Sequence, residues 1–287
     1  MSFLAFARAH GLVIEDLHAS DRIRRCATEE HPHKKNGAYL WDGTRGWVFC
    51  WDGEAKTHWY ADPNAKPWSE EEKRAWAAKR RQAEAQQERR RQQAATDAGN
   101  MLRTATPGEH DYLVRKGLGA VQGLVLPDGA LMVPMRNHDT NNLQGAQVIR
   151  WLPDEMRFEK KMLPGMRAKG AVLRLGKGSE TVLCEGYATG LSIELAARSV
   201  GLPAAVLVTF SATNLVHVAQ FLKGRVFVFA DNDKSEAGER AAQDTGHPYC
   251  MSDIVGEDAN DVHARAGLMA VAQMLMRVRR SEAVASG

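Results

Sequence analysis

Two short acidic points in the chain carry the residue types that divalent-cation chemistry needs. Glu185-Gly186 follows directly on the apolar run TVLC, and Asp231-Asn232-Asp233 follows directly on RVFVFA. Gathered carboxylates repel one another, so a fold that brings them together needs positive charge among them. Mg2+ suits a few carboxylates completed by phosphate oxygens and water, and Mn2+ accepts the same oxygen-rich surroundings. Such an ion neutralises charge on a transferring phosphoryl group and orients the attacking oxygen. A D-x-D alone reads as an ordinary turn. Its pairing with E-G, each directly after an apolar run, makes Glu185, Asp231 and Asp233 a candidate metal-dependent site for phosphodiester chemistry.

The elements that must position these residues are legible around them. TVLC reads as a strand and ATGLSIELAARS as a helix, then AAVLVTF and TNLVHVAQFL, then RVFVFA and EAGERAAQDT. Apolar strands alternating with helices predict an α/β fold built on a parallel sheet covered on both faces. Residues just beyond the carboxyl ends of such strands face the ligand crevice, so both acidic points share one edge if their strands are neighbours. Gly186 is expected to make the tight turn a carboxylate at a strand end requires. Upstream, HDYLVRKGL reads as a short helix and LVLPDGALMVPMR as a hairpin turning at Asp128-Gly129. GAQVIRWL continues the strand pattern into a basic stretch, RFEKKMLPGMRAKG.

VLCEGYATGLSIELAA and FVFADNDKSEAGERAA together resemble the TOPRIM fold of bacterial primases, topoisomerases and several nucleases, and more narrowly the phage- and plasmid-encoded primases. GEDANDVHARAG resembles the acidic segment that closes that domain, and the likeness runs from about Gly108 to Gly267. The resemblance implies Glu185 as general base or acid within the metal shell, Asp231 and Asp233 as metal ligands, and Asp261 as a further candidate. Glu257, Asp258 and Asn260 offer caps for the last helix instead. The basic stretch resembles the primase segment whose cations meet nucleotide phosphates or template, which carries over to Arg150, Lys160, Lys161 and Lys169. An anionic triphosphate needs such side chains as well as a cation. Ser211-Ala212-Thr213 departs from the family pattern before Asn214. What the resemblance implies is a DNA primase that joins ribonucleoside triphosphates into short RNA primers on single-stranded DNA, for a phage, plasmid or integrated element. No GxxxxGK[ST] phosphate loop is present, so a helicase partner would be separately encoded. A TOPRIM nuclease would carry the same acidic cluster, a non-catalytic DNA-binding accessory protein is the third reading, and a topoisomerase lacks room for its strand-passage domains.

Residues 1–67, rich in Trp, His and Gly, read as a small β-hairpin module resembling the zinc-ribbon head of primases. Structural zinc wants four nitrogen or sulfur ligands, usually with close Cys pairs. Here Cys26 and Cys50 are single and Gly53 stands where a second Cys of the pair would be. Cys26, His31 or His33, Cys50 and His58 compose one possible Zn2+ set. The other reading is a degenerate ribbon without metal, held by Trp41, Trp47, Phe49, Trp51 and Trp59, with Arg24, Arg25, Lys34 and Lys35 left for DNA. The N-terminal MSFLAFARAHGLVIEDL reads as a short amphipathic helix. Residues 68–100 form a charged helical linker, capped by Ser69 with Glu72 and ended at Gly99. By the same resemblance, residues 101–175 read as a basic primase-like subdomain and 176–287 as a TOPRIM domain with a C-terminal helix. A net charge of +3 gives no global case for nucleic-acid binding, so any such case is local. Four dispersed cysteines suit a reducing cytoplasm, and no apolar run is long enough for a membrane span.

Overall fold

A computed structural model describes residues 1–52, 56–62 and 69–285. Gly53 and the boundary at residues 67 and 68 lie outside them. The chain divides into two compact units, Met1–Arg80 and Arg81–Gly287.

The first unit opens with helix α1 (Phe3–Ala9), followed by strands β1 (Leu12–Val13), β2 (Ser20–Thr28), β3 (Gly37–Trp41), β4 (Arg45–Cys50) and β5 (Thr57–Ala61). The strands form a five-stranded antiparallel sheet in sequence order, more than the hairpin expected. Helix α1 is shorter than the N-terminal pattern suggests because Gly11, at φ +77°, turns the chain into β1. Phe3, Ala7, Leu12, Tyr39 and Val48 make its core, with Trp41 stacked on Phe3 at 4.6 Å.

Helix α2 (Glu70–Thr104) starts with the expected capping box: Glu72 N–H donates to Ser69 Oγ at 3.1 Å, and Ser69 N–H to Glu72 Oε2 at 2.7 Å. It does not stop at Gly99. Ala94 and Ala98, four apart on one face, are buried, and Ala98 packs on Leu126, Met132, Ala146 and Val148. That packing outweighs the roughly 1 kcal/mol that a glycine costs inside a helix. The last third of α2 is therefore part of a core, where the composition suggests only a solvated linker.

The second unit continues with β6 (Thr106–Gly108), α3 (Asp111–Arg115), β7 (Gly123–Val125), β8 (Leu131–Asn137), β9 (Leu143–Leu152), β10 (Arg157–Met162) and β11 (Ala171–Leu175). Then come β12 (Glu180–Cys184), α4 (Tyr187–Ser199), β13 (Ala204–Val208), α5 (Ala212–Ala219), β14 (Val226–Phe229), α6 (Ala237–Asp244), β15 (Tyr249–Cys250), α7 (Ala259–Ala266) and α8 (Leu268–Ala285). Ten strands form one sheet, with the path β10-β9-β8-β11-β13-β12-β14-β15 and β6 and β7 paired beside β8. Only β13, β12, β14 and β15 are mutually parallel. Strand β11 is antiparallel to both β13 and β8, so the sheet is mixed and runs without a break from the basic segment into the acidic one. Side chains alternate across it as a pleat requires. Val182, Val206, Phe227 and Phe229 meet Ile193 of α4 and Val271 and Leu275 of α8 on one face. Leu183, Leu207, Val226 and Val228 meet Leu215 and Val218 of α5 and Ala242 of α6 on the other. No helix among the described residues is long and apolar enough to cross a membrane.

Candidate metal centre

Strands β12 and β14 are immediate parallel neighbours, with Leu183 opposite Val228. Glu185 and Asp231 therefore leave adjacent strands at the same carboxyl edge. Gly186 has φ −89°, open to any residue; glycine is needed there for space, since a Cβ would stand 2.7 Å from Thr189 Oγ1. Phe210, at φ +65°, donates its N–H to the Glu185 carbonyl at 2.9 Å, and the Ala212 N–H donates to the Glu185 carboxylate. At the second point Gly238 lets α6 approach closely, because a Cβ would stand 2.3 Å from the Asp231 carbonyl oxygen.

The carboxylates are not equivalent. Burial, then the charges of Asp258, Glu185, Asp233 and Asp261, push the Asp231 carboxyl up to about 7. Its Oδ1 is buried without a hydrogen-bond partner. Burial, then Asp233, raises Glu185. Asp233 moves the other way. Its Oδ1 accepts from the Ser235 hydroxyl and N–H and its Oδ2 from the Gly238 N–H, which hold its pKa below the usual range. Asp233 thus organises the loop into α6 as well as facing the edge.

Asp258 belongs to the same electrostatic group, a member that sequence reasoning treated only as a cap. It does cap α7, accepting from Asn260 N–H at 2.7 Å and Asp261 N–H at 3.0 Å, and its Oδ2 accepts from Thr189 Oγ1 at 2.9 Å. Asp261 returns the capping box to the Asp258 N–H at 3.2 Å and meets Lys116 Nζ at 3.7 Å. Asp258-x-x-Asp261 is a capping-box spacing, a signal that hides the second role. Glu257 stays out of the edge, paired with Arg265 at 2.7 Å, which with Ser252 holds its carboxyl down at about 2. Asn260 is buried and donates to the Lys116 carbonyl at 2.9 Å and Ser192 Oγ at 3.1 Å.

Among the described residues, the one group of three or more His, Cys, Asp or Glu with ligand atoms all within 4.8 Å of one another is Glu30, His31 and Asp52, in the first unit. The edge carboxylates stand further apart than that. Such an open set fits Mg2+, which keeps water and takes phosphate oxygens beside one or two carboxylates. The unpartnered Oδ1 of Asp231 and the burial and neighbouring charges that raise its pKa fit a site that takes a cation.

Of the four basic residues carried over from the primase resemblance, only Lys160 is coupled to this edge. Its side chain keeps accessible surface, yet its ammonium lies 5.2 Å from the centre of the Tyr112 ring. Desolvation there lowers its pKa, opposed by Asp258 and Asp231. Lys161 points to the opposite face, as alternate residues of a strand must, and pairs with Glu159 at 2.8 Å. Arg150 pairs with Asp128 at 2.7 Å. Lys169 lies beside His217 near the start of β11. Tyr112 was not foreseen; its hydroxyl is buried without a hydrogen-bond partner, and burial pushes it up to about 12.

The first unit does not gather the proposed zinc donors. Cys26 and Cys50 flank Gly37 on neighbouring strands, with burial, then Cys50, pushing Cys26 up to about 11. His58 stacks on His10 at 3.9 Å, and His33, though it lines one pocket with Cys26, Lys34 and Lys35, joins no group of three donors within 4.8 Å of one another among the described residues. His31 Nδ1 lies 3.0 Å from Asp52 Oδ1, and Asp52 also accepts from Thr28 Oγ1 and Asn36 Nδ2. Hydrogen bonds centred on Asp52 tie this knuckle together. Trp59 is 72% exposed, so it is no part of the core expected of it, and Trp51 carries the Arg25 guanidinium at 3.9 Å.

No curated protein matches the chain. Residues 180–268, from the start of β12 to the start of α8, match the family model described as the Toprim domain. Every carboxylate of the edge falls inside that span. The chain contains a Toprim domain at residues 180–268.

Proposed function

We propose that this protein is a DNA primase, which builds short RNA primers on single-stranded DNA from ribonucleoside triphosphates and works with a separate helicase. The observation that carries the reading is the meeting of two opposite requirements at one sheet edge. Asp231 offers a buried, unpartnered carboxylate oxygen, and Lys160, from the basic segment, faces the same group. Glu185, Asp231 and Asp233 would hold Mg2+, with Asp258 and Asp261 behind them. When bound, Mg2+ neutralises triphosphate charge and favours the ionised form of a primer hydroxyl. Glu185, whose carboxyl burial raises above the usual carboxylate range, is the group at this edge suited to accept or return a proton. Lys160 supplies a positive charge for triphosphate oxygens without a charged partner in close contact to give up. Asp233 accepts from the Ser235 and Gly238 N–H groups and so holds the 233–238 turn closed beside Asp231.

The test is synthesis of labelled RNA by the full chain on single-stranded DNA with Mg2+ and ribonucleoside triphosphates. Short RNA products support the proposal. Nicked DNA without RNA points to a Toprim nuclease, and strand binding with neither product points to a non-catalytic accessory protein. Asp231→Ala and Glu185→Ala should each abolish the activity; unchanged turnover in both removes the site assignment.

A further inference from the structure

We infer that an aromatic and cationic platform formed by Phe221, His138, His217 and Lys169 binds a single nucleic-acid strand beside the acidic edge. This rests on the primase reading only for what the strand is used for. Phe221, just past the end of α5, is 55% exposed. Its ring centre lies 5.0 Å from that of His138 and 5.1 Å from that of His217, and the two imidazoles are 6.3 Å apart. Three rings from two separate segments thus share one surface that no apolar core covers. An exposed ring flanked by cations is the arrangement that stacks an unpaired base and holds its phosphate.

The cations are close enough to be felt. Lys169, His138 and Arg167 all depress the His217 pKa, in addition to burial. Gly170, at φ +77°, brings the Lys169 loop against both imidazoles: a Cβ there would stand 3.3 Å from His138 Cδ2 and 3.8 Å from His217 Nε2. The loop is fastened by Asn214, a buried amide on α5. Its Oδ1 accepts from Gly170 N–H at 2.7 Å, and its Nδ2 donates to the carbonyls of Ala171 and Thr209, each at 2.8 Å. Thr209 in turn donates to the Cys184 carbonyl at 2.9 Å, one residue before Glu185. Strand β11 stands two places from β12 in the sheet, about 10 Å at ordinary strand spacing.

The experiment is fluorescence anisotropy of the full chain with a labelled oligothymidylate in EDTA, across a salt series, so that no catalysis enters. Phe221→Ala should weaken binding roughly tenfold or more, and Phe221→Trp should keep it. Lys169→Ala should weaken binding and make its salt dependence shallower by about one released counterion. Arg198→Ala, on a distant exposed turn of α4, is the control, and melting curves check that each variant folds. Wild-type affinity in both Phe221→Ala and Lys169→Ala overturns the inference. So does a Trp variant as weak as the Ala variant, or a Phe221→Ala effect confined to self-association on gel filtration. Primer synthesis run in parallel separates the two proposals. Loss of strand affinity without any primers in the wild type leaves the platform standing and sinks the primase reading; primers with normal Phe221→Ala binding do the reverse.

Discussion

Asp231→Asn should make the metal-free protein more stable while removing its response to Mg2+. The carboxyl of Asp231 titrates at about 7 in the fold, against an ordinary 3.8. Between those values the folded state holds a proton that the unfolded state has released, so stability falls as pH rises through that window and levels off above about 7. At about 1.36 kcal/mol per pH unit the full penalty is on the order of 4 kcal/mol. That figure is a ceiling, because neighbouring carboxylates share the repulsion. An amide carries no charge to desolvate or repel, so at pH 8 in EDTA the variant should gain at least about 1 kcal/mol, or about 2–4 °C in melting temperature for a unit of this size. Thermal melts of wild type and variant at pH 5, 6, 7 and 8, each in EDTA and in Mg2+, make the comparison. Wild type should lose stability between pH 5 and 7 in EDTA and recover it with Mg2+; the variant should do neither. The reasoning fails if the variant melts at or below wild type at pH 8 in EDTA, or if Mg2+ stabilises both equally.

Lys160→Ala should lower kcat/KM for ribonucleotide incorporation by about 10²–10³, the scale for a charge aimed at a reacting anion. Lys161→Ala and Arg150→Ala, whose cations are paired on the other face with Glu159 and Asp128, should change it by less than about threefold. Steady-state primer synthesis tests all three. Glu180→Ala should cost the second unit about 2–4 kcal/mol in urea unfolding, because the buried Glu180 carboxylate holds both Arg225 and Arg279 at 2.9 Å. A loss below about 0.5 kcal/mol would show that the two guanidiniums find other partners. In the first unit, chelators should leave the melting temperature unchanged, whereas Asp52→Ala should lower it, because the Thr28, Asn36 and His31 contacts all converge on that carboxylate. A drop in melting temperature on adding a chelator would instead reveal a bound metal in the knuckle.

Much of the second unit is legible in the order of its residues because strand and helix periods differ and each apolar run here obeys one of them. The three parallel strands from TVLC, AAVLV and RVFVF, their helices and the shared edge of Glu185 and Asp231 all follow from that pattern. Strand direction does not, since β11 alternates in the same way whichever way it runs; its antiparallel pairing with β13 depends on how the chain enters from Gly170. The extent of α2 is hidden too, because Ala94 and Ala98 look like solvated helix formers until a sheet lies against them. Asp258 is the clearest omission at the site. Its cap spacing is readable, but its nearness to Asp231 arises from α7 packing on α4, a contact between segments 69 residues apart at Thr189 and Asp258. The basic residues were read as a group because they adjoin in sequence, although a strand sends Lys160 and Lys161 to opposite faces.

The sharing of β11 by both halves of the ten-stranded sheet has a mechanical consequence. A hinge between the basic and acidic halves would have to break the backbone ladder of β11 on one side, so the two cannot open and close like jaws. Relative motion of the two halves is then confined to turns such as 231–238 and 163–170, while the shared sheet fixes the spacing between the basic segment and the acidic edge.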